Sequence, residues 1–441
     1  MLLTHLPEFF KDRRQALLQA HPGAAFLFPA SPEYTRNPDV TFPFRQESGF
    51  FYLSGFEEPE SFLVLTSAGG KPRMTLFARE RDPDREMWDG ERYGLEGAVQ
   101  IFGADQAYPI HELGRRLPEL LKGTERTYYR LGLNEIVDRQ VFDAQEAYRR
   151  TQGRAGKALN PFFDPNEILG EMRLFKSAGE TTLLRRACSI TADAHLTLMK
   201  QVRPGMNERE VEARVDYEMR RQGCQRNGYG SIVAGGRNAA CLHYRANNED
   251  LRDGDLLLVD AGGERDYYTS DITRTFPIGR KFSDAQGKLY DLVLKSQLAA
   301  IEMTKPGALL PDLHRRVCEV LIDGMLSLGL MQGKPAEIFM AMGHKRFYPH
   351  STSHWLGMDV HDVGLYTWQG EPRRLEAGMV FTIEPGFYVQ PADREAPEAY
   401  RGIGIRIEDD VLVTARGCEV LTAGVPKDRH EIESIREAAL Q

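Results

Sequence analysis

The sequence lacks long apolar runs, closely spaced cysteines and any excess of positive charge. No stretch of its 441 residues approaches the roughly 18 apolar residues that a membrane-spanning helix requires. The five cysteines are scattered and form no CxxC pair, which argues against a zinc–thiolate site and against a disulfide framework. Reduced thiols in or near the core are therefore expected.

The charge balance is acidic, with 64 Asp and Glu against 56 Lys and Arg and a net charge of −8. Nucleic acids and anionic membranes are bound through basic patches, so neither is expected as a partner. Residues 1–14 contain no apolar core of signal-peptide length with a small-residue cleavage site. These features predict a cytoplasmic protein.

The length of the chain predicts two domains, because 441 residues exceed one ordinary core. Residues 1–170 mix helix and strand signals and are predicted as an N-terminal α/β domain, with a second domain over residues 171–441. Residues 149–165, richer in Gly, Pro and polar residues, are the candidate linker. Strands are predicted over residues 50–53, 61–65 and 73–77, with a turn at Gly69-Gly70.

A weak internal repeat divides the second domain. Residues 177–223 begin with an S-x-x-E capping box and continue as a helix, a Pro-Gly stop and a second helix. Residues 283–329 repeat this order, and a predicted β-hairpin follows each copy, over residues 256–276 and 379–413. The pattern predicts two related halves facing each other across a sheet-lined cleft. Coincidence is the alternative, because Pro-Gly stops are common.

Each predicted hairpin carries two carboxylates beside hydrophobic strands. Asp260 ends the run Leu-Leu-Leu-Val-Asp, and a turn at Arg265-Asp266 would place Asp271 directly opposite it, with Cβ atoms roughly 5 Å apart. Glu384 and Glu408 repeat the arrangement in the second half. Buried carboxylates repel one another and lose hydration, and a divalent cation between them relieves that cost. A solvated acidic pair beside a turn is the alternative.

Three of the eleven histidines, His350, His354 and His361, fall within twelve residues. The Ser and Gly residues around them favour a loop or an irregular strand over a helix. Four carboxylates and one imidazole form an oxygen-rich set, which suits Mn²⁺, then Fe²⁺ or Co²⁺, with Zn²⁺ possible. Bridging carboxylates can hold two ions about 3.5–4 Å apart, so these residues predict a two-metal hydrolase.

Two other polar residues allow alternative interpretations. Arg406 shares the predicted strand face of Glu408, where it would either form a salt bridge with Glu408 or orient carboxylates and bind a substrate anion. His243 stands apart from the other histidines, and on its own would be a satisfied core or loop residue.

Five ordered motifs resemble the metal-site motifs of the pita-bread metallopeptidases, and most closely those of the aminopeptidase P (Xaa-Pro aminopeptidase) branch. They are residues 258–262 (LVDAG), 270–276 (SDITRTF), 353–362 (SHWLGMDVHD), 382–386 (TIEPG) and 404–409 (GIRIED). The N-terminal part is also similar, at residues 44–46, 50–52, 55–56 and 87–88. The resemblance implies an α+β fold: a pita-bread C-terminal domain with duplicated α–β halves, plus an α/β N-terminal domain for oligomerisation or substrate access.

The resemblance also implies a dinuclear, usually Mn²⁺, site and the roles of its residues. The implied ligands are Asp260, Asp271, His354, Glu384 and Glu408. The implied catalytic residues are His243 and His361, which contact the substrate and the reacting carbonyl, and Glu384, which shuttles a proton. The implied substrate contacts are His350, Tyr388, Arg406 and Tyr229, and Trp88 is expected to reach a neighbouring subunit's site in a tetramer or dimer.

The implied activity is release of the N-terminal residue from peptides that have proline in the second position. A prolidase, which cleaves only Xaa-Pro dipeptides, shares the motifs and is the nearest alternative. A methionine aminopeptidase would lack the long N-terminal domain. A metal-free pita-bread binding module and a creatinase-like amidinohydrolase would not need all five ligand positions, which are intact here.

Overall fold

A computed structural model describes residues 7–67, 70–151, 153–155 and 160–441. The chain divides into two compact units, Met1–Leu169 and Gly170–Gln441. Gly69 of the predicted turn lies outside the described residues, as do residues 152 and 156–159 of the predicted linker. Among the helices of the described ranges, none is both long and apolar enough to cross a membrane.

The first unit is built around one mixed sheet. Its helices are α1 (Pro7–Ala20), α2 (Ser48–Ser54), α3 (Pro83–Asp89), α4 (Gly94–Gln100), α5 (Leu113–Leu120) and α6 (Glu135–Thr151), and α7 (Asn166–Leu174) runs on into the second unit. Its strands are β1 (Ala24–Pro29), β2 (Thr35–Asn37), β3 (Val40–Thr41), β4 (Phe62–Thr66), β5 (Arg73–Ala78), β6 (Gln106–Pro109), β7 (Arg126–Tyr129) and β8 (Phe162–Phe163). The sheet order is β6-β5-β4-β1-β7-β8, and β1, β4 and β5 are antiparallel neighbours.

The strands predicted near residues 61–65 and 73–77 are confirmed as β4 and β5. The strand predicted over residues 50–53 is wrong, because these residues lie in the buried helix α2. The Glu47 carboxylate caps that helix by accepting from the Phe50 N–H, and Gly55 ends it in the left-handed conformation (φ 69°). The predicted linker is also partly wrong, since α6 extends to Thr151 and β8 pairs with β7.

The second unit contains longer helices over several small antiparallel sheets. Its helices are α8 (Ala178–Gln201), α9 (Glu208–Arg221), α10 (Asp284–Met303), α11 (Leu310–Ser327), α12 (Pro335–Met340) and α13 (Arg429–Ala439). Its strands are β9 (Arg226–Asn227), β10 (Ile232–Gly235), β11 (Leu256–Ala261), β12 (Gly263–Arg265), β13 (Tyr268–Thr269), β14 (Ile272–Pro277), β15 (Thr367–Trp368), β16 (Glu371–Pro372), β17 (Val380–Ile383), β18 (Gly386–Tyr388), β19 (Gly404–Arg406), β20 (Asp409–Val413) and β21 (Cys418–Val420).

The internal repeat is present in the second unit. Capping boxes begin α8, at Ser177 and Glu180, and α10, at Ser283 and Gln286. The helix pairs α8–α9 and α10–α11 are followed by matching hairpins: β11 pairs with β14 as β17 pairs with β20, and β12 pairs with β13 as β18 pairs with β19. A bridge between Thr273 and Glu408 joins the two hairpins.

The register of the first hairpin differs from the prediction by two residues. Asp260 pairs with Thr273, because the turn lies at Asp266 and Tyr267, which both adopt positive φ (51° and 68°). Asp271 therefore falls opposite Gly262 when the register is continued. A slip of two residues leaves each side chain on its original face, so Asp260 and Asp271 still point the same way.

A buried ion pair fastens the two hairpins behind the bridge. The side chains of Arg274 (β14) and Asp409 (β20) are fully buried, and the Arg274 Nη2 donates to Asp409 Oδ1 over 2.6 Å. Arg274 also donates to the carbonyl oxygens of Glu408, Val425 and Pro426. Burial on its own would raise the pKa of Asp409, but the charges of Arg274 and Lys427 hold it below the usual range.

We expect Arg274→Met to destabilise the protein by roughly 3–5 kcal/mol, because it leaves a buried carboxylate and several carbonyls without their main donor. Urea unfolding followed by circular dichroism would measure the loss. The matched control is Arg185→Met, which removes an exposed pair with Glu419 and should cost less than about 1 kcal/mol. Equal losses in the two variants would contradict a special role for the buried pair.

Candidate active site

One cavity of about 840 Å³ lies within the second unit. All five predicted ligands line it: Asp260, Asp271, His354, Glu384 and Glu408. Asp260 comes from β11 and Asp271 immediately precedes β14, whereas Glu384 follows β17 and Glu408 stands between β19 and β20. The register of the second hairpin, which pairs Ile383 with Asp409, continues so that Glu384 and Glu408 face one another. Both halves of the repeat thus deliver carboxylates to one space.

The carboxylates from the first half share one hydroxyl. The Tyr229 hydroxyl lies 2.6 Å from Asp260 Oδ1 and 2.5 Å from Asp271 Oδ1. The second oxygen of Asp260 accepts from Arg406 Nη2 over 2.6 Å, and the second oxygen of Asp271 lies 3.3 Å from His354 Nε2. Each carboxylate therefore has one oxygen on Tyr229 and the other near a nitrogen.

His354 is oriented so that one ring nitrogen faces the acidic residues. Its Nδ1 lies 3.0 Å from the Trp355 carbonyl oxygen and donates to it, which leaves Nε2 toward Asp271 and, at 3.6 Å, toward Glu384 Oε1. A hydrogen bond of this kind fixes the tautomer of a metal-binding imidazole. Ligand atoms of Asp271, His354 and Glu408 all lie within 4.8 Å of one another.

Burial and the proximity of the carboxylates shift the pKa values of the cluster. Burial raises the pKa of Asp271, raises that of Glu384 to about 7 and raises that of Glu408 well above its usual range, and the neighbouring carboxylates add to each shift. Burial acts to lower the pKa of His354, but the hydrogen bond to Asp271 and the charge of Glu384 bring it to about 9. The cluster thus favours added positive charge, and its oxygen-rich donors fit a divalent metal ion.

Residues that the sequence analysis did not single out hold the candidate ligands in place. The hydroxyl of Thr273 donates to Glu408 Oε2 (2.6 Å), and that of Thr382 donates to Glu384 Oε1 (3.3 Å). The buried Asp410 accepts from the Asp271 backbone N–H (3.0 Å) and from the Cys188 thiol (3.2 Å). Asp410 lies two residues after Glu408, so strand alternation places both on the same face. Its position near the candidate ligands could therefore have been predicted from the sequence.

A hydrogen-bonded chain connects three predicted substrate contacts. His350 Nε2 lies 2.9 Å from the Tyr388 hydroxyl, to which Arg406 Nη1 donates over 3.0 Å. Burial first, and then the charge of Arg406, lower the pKa of His350 to about 3, so this imidazole is neutral. Of the two alternatives for Arg406, the structure favours the one in which it orients a carboxylate, because its side chain reaches β11 and pairs with Asp260 and not with Glu408.

The other two histidines lie at the same cavity. The rings of His354 and His361 are 4.4 Å apart, and burial lowers the pKa of His361. Next to His361, Asp362 is buried and accepts from Arg173 and, over 3.2 Å, from Lys176, which fixes this loop. His243 lines the cavity and is exposed, so the expectation of a core histidine is wrong and that of a loop residue is correct.

Apolar side chains form part of the cavity wall. They are Ile232, Leu242, Leu310, Pro311 and Val360, together with the aromatic ring of Tyr366. Trp88 belongs to the first unit, on α3, where its side chain is 84% exposed. Its expected contact with a neighbouring subunit stays a prediction. All five cysteines are free, but Cys241 is exposed, contrary to the expectation of thiols in or near the core.

The chain is similar to characterised metallopeptidases along nearly its whole length. It is 43% identical to the Xaa-Pro aminopeptidase of Escherichia coli K12 over 98% of both chains, and 40% identical to that of Haemophilus influenzae over 97% of this chain and 96% of the other. A Pseudomonas aeruginosa aminopeptidase structure superposes with a TM-score of 0.95 at 45% identity and covers 98% of both chains. An Escherichia coli aminopeptidase P in complex with substrate gives 0.95 at 42%, over 98% of this chain and 99% of that one.

Two family models match separate parts of the sequence. Residues 10–129 match the model of the aminopeptidase P N-terminal domain. Residues 182–415, which contain every candidate ligand, match the model of metallopeptidase family M24. With this match and these relatives, the chain belongs to metallopeptidase family M24 and carries an aminopeptidase P N-terminal domain.

Proposed function

We propose that the protein is a metal-dependent exopeptidase that releases the N-terminal residue from peptides with proline in the second position. One observation carries the proposal. Asp260, Asp271, His354, Glu384 and Glu408 converge in a single cavity of a chain that is 43% identical, over 98% of its length, to an Xaa-Pro aminopeptidase. The high identity to such enzymes supports an aminopeptidase over a prolidase.

The five converging side chains are the proposed ligands of two divalent ions, with Mn²⁺ first and Co²⁺, Fe²⁺ or Zn²⁺ as other candidates. Four carboxylates and one imidazole favour hard and borderline cations. The chemistry that two such ions supply is activation of a water at neutral pH and polarisation of the scissile carbonyl. The remaining tasks, which are positioning, proton transfer and selectivity, belong to side chains of this protein.

Proton transfer falls to Glu384, whose carboxylate lies in the cavity beside His354 and, at 3.7 Å, His350. It would take a proton from the attacking water and pass it to the prolyl nitrogen, which must be protonated before it can leave. His361 and His243 line the same cavity and would donate hydrogen bonds to the carbonyl oxygen as negative charge develops there.

Selectivity for proline follows from the chemistry of the bond. The prolyl nitrogen is a tertiary amide without an N–H, so a hydrogen bond to that group cannot select the substrate. A rigid ring must be bound by shape instead. His350 and Arg406 line the cavity and would form a fixed wall, because the buried Tyr388 hydroxyl holds both of them by hydrogen bonds. Tyr229 lines the same cavity and bonds to Asp260. The free α-amine of the substrate would bind a carboxylate of the cluster, which accounts for cleavage from the N-terminus.

The remaining features of the proposal concern the whole protein. The first unit would serve oligomerisation or substrate access, and the exposed Trp88 would reach the site of a neighbouring subunit in a tetramer or dimer. The enzyme would work in the cytoplasm, and its net charge of −8 disfavours nucleic acids and anionic membranes as partners.

The decisive assay offers the Mn²⁺-loaded protein an Xaa-Pro tripeptide and an Xaa-Pro dipeptide, with an alanine-containing tripeptide as the control. We expect turnover of an Xaa-Pro-Yaa tripeptide with release of Xaa, measured by liquid chromatography of the products. A matched tripeptide with alanine in the second position should be cleaved far more slowly, because it lacks the ring. Cleavage of an Xaa-Pro dipeptide alone would make the protein a prolidase, and no release from either substrate would refute both activities.

We expect Asp271→Asn to abolish activity while the fold is retained. The amide keeps the size of the carboxylate but removes one charge from the proposed ligand set. Because burial and neighbouring charge raise the pKa of Asp271, the metal-free variant should melt at or above the temperature of the metal-free parent. The control is Asp323→Asn, an exposed position on α11 outside the cavity. Full activity in Asp271→Asn would remove this residue from the ligand set.

We expect Mn²⁺ to raise the melting temperature of the metal-free parent, because only the folded state assembles the ligands. At an ion concentration 100 times the Kd, one site contributes about 2.7 kcal/mol. For a unit of this size that corresponds to roughly 5 °C. Differential scanning fluorimetry would measure the shift, and a chelator should reverse it. An equal shift in Asp271→Asn would place the stabilising ion elsewhere.

A further inference from the structure

A second group of metal-binding side chains lies beside the cavity and outside the carboxylate cluster. His314 and Cys318 are four residues apart on α11, which places them on one helix face. His344 comes from the short turn Gly343–Arg346 after α12. One ligand atom from each of the three lies within 4.8 Å of the other two. The proposed peptidase mechanism uses none of these residues.

The geometry between His314 and Cys318 already suits a metal ion. The Nδ1 of His314 lies 2.8 Å from the Thr352 hydroxyl, which holds the ring so that Nε2 faces the Cys318 sulfur at 3.5 Å. A tetrahedral zinc ion, with bonds of about 2.3 Å to sulfur and about 2.05 Å to nitrogen, separates these two atoms by about 3.6 Å. The hydroxyl on the far nitrogen is the kind of contact that orients metal-binding histidines.

The third side chain is the buried imidazole of His344. His344 is 4% exposed, and its Nδ1 is buried without a hydrogen-bond partner among the described residues. Phe339 stacks on the ring at a centroid distance of 5.5 Å and fixes its plane. A buried polar atom without a partner costs about 1–3 kcal/mol, so the protein retains an imidazole here at a cost.

The three donors differ in kind from the carboxylates. One sulfur and two imidazole nitrogens form a softer set, which suits zinc and other thiophilic ions, whereas oxygen-rich sites suit Mn²⁺. The absence of paired cysteines does not exclude a zinc site of this kind, because a single cysteine is joined here by one histidine of its own helix and by a second from a later turn.

We propose that His314, Cys318 and His344 form a separate site for a thiophilic divalent cation, zinc above all, distinct from the carboxylate cluster. On binding, the Cys318 sulfur loses its proton to water and becomes a thiolate ligand. His314 lines the cavity, so the ion has a path from the cleft. A water would complete the tetrahedral coordination.

The site is connected to the peptidase cavity through Thr352. The Thr352 hydroxyl contacts both His314 and, at 2.7 Å, the Tyr348 hydroxyl, and its carbonyl oxygen accepts from the Glu384 N–H over 2.9 Å. A cation that fixes His314 therefore also fixes the segment that precedes His354. We expect zinc to stabilise this segment against heat.

Cobalt(II) is the probe, because a thiolate ligand gives a charge-transfer band in the near ultraviolet and carboxylate or imidazole ligands do not. The full-length protein, first saturated with Mn²⁺, is titrated with Co²⁺. We expect the band to grow to one equivalent per chain and Zn²⁺ to displace it. Cys318→Ser should lack the band, and His344→Asn, which keeps the thiol, should bind Co²⁺ at least 10-fold more weakly.

Two controls keep the result interpretable. Cys418→Ser removes a thiol that lies outside the cavity lining and should keep the full band. Cys241→Ser tests the exposed thiol near His243. A band that survives in Cys318→Ser and disappears in Cys241→Ser would overturn the proposal, as would the absence of any band in the parent. If Cys318→Ser does not fold, the Co²⁺ titration of His344→Asn decides the question, and an affinity equal to that of the parent would overturn the proposal.

Discussion

Electrostatic repulsion among buried carboxylates is the constraint on which the second unit depends. Asp271, Glu384 and Glu408 share one cavity, and burial together with mutual repulsion raises the pKa of each. Arg406 and His354 offset part of this charge, and the Tyr229 hydroxyl bridges Asp260 to Asp271. Contacts from the surrounding structure must offset the repulsion within such a cluster. A bound cation would reduce that repulsion further.

The duplicated architecture meets this constraint by dividing the charges between two hairpins. Neither half carries the whole cluster, so each hairpin forms with only two of the four carboxylates. The halves are joined beside the cluster, by the bridge between Thr273 and Glu408 and by the buried pair of Arg274 and Asp409 next to it. The positive charge of Arg274 thus lies next to the segment that carries Glu408. The contacts that join the two hairpins therefore also position the carboxylates of the site.

Local sequence signals predicted the helices and hairpins, because interactions between residues close in sequence determine where these elements begin and end. The capping box at Ser177, apolar periodicity and the Pro-Gly stops located the long helices, and apolar runs ending in carboxylates located the hairpins. Helix α2 was mistaken for a strand because every residue of Ser48–Ser54 is buried, which removes the periodicity that separates helix from strand.

The remaining differences arise from contacts that sequence spacing does not report. The turn at Asp266 and Tyr267 contains no glycine, although both residues adopt positive φ, so the hairpin offered no glycine signal for its register. Arg406 selects Asp260, which is 146 residues away, over Glu408 on its own face. The chain also gave no sign that His344 would join His314 and Cys318, because the turn that carries it is positioned by tertiary packing.

The two proposed donor sets of the second unit differ in the chemistry of their ligand atoms. Carboxylate oxygens dominate the candidate ligands of the peptidase cavity, and a thiol with two imidazoles lies beside Thr352. Hard cations prefer the first set and thiophilic cations prefer the second. The type of ligand atom would therefore decide which ion occupies which site. Thr352 links the two sites. Its hydroxyl contacts His314 Nδ1, and its carbonyl oxygen accepts a hydrogen bond from the Glu384 N–H. An ion at the softer site would therefore act on the peptidase cavity through backbone position, without sharing a ligand with it.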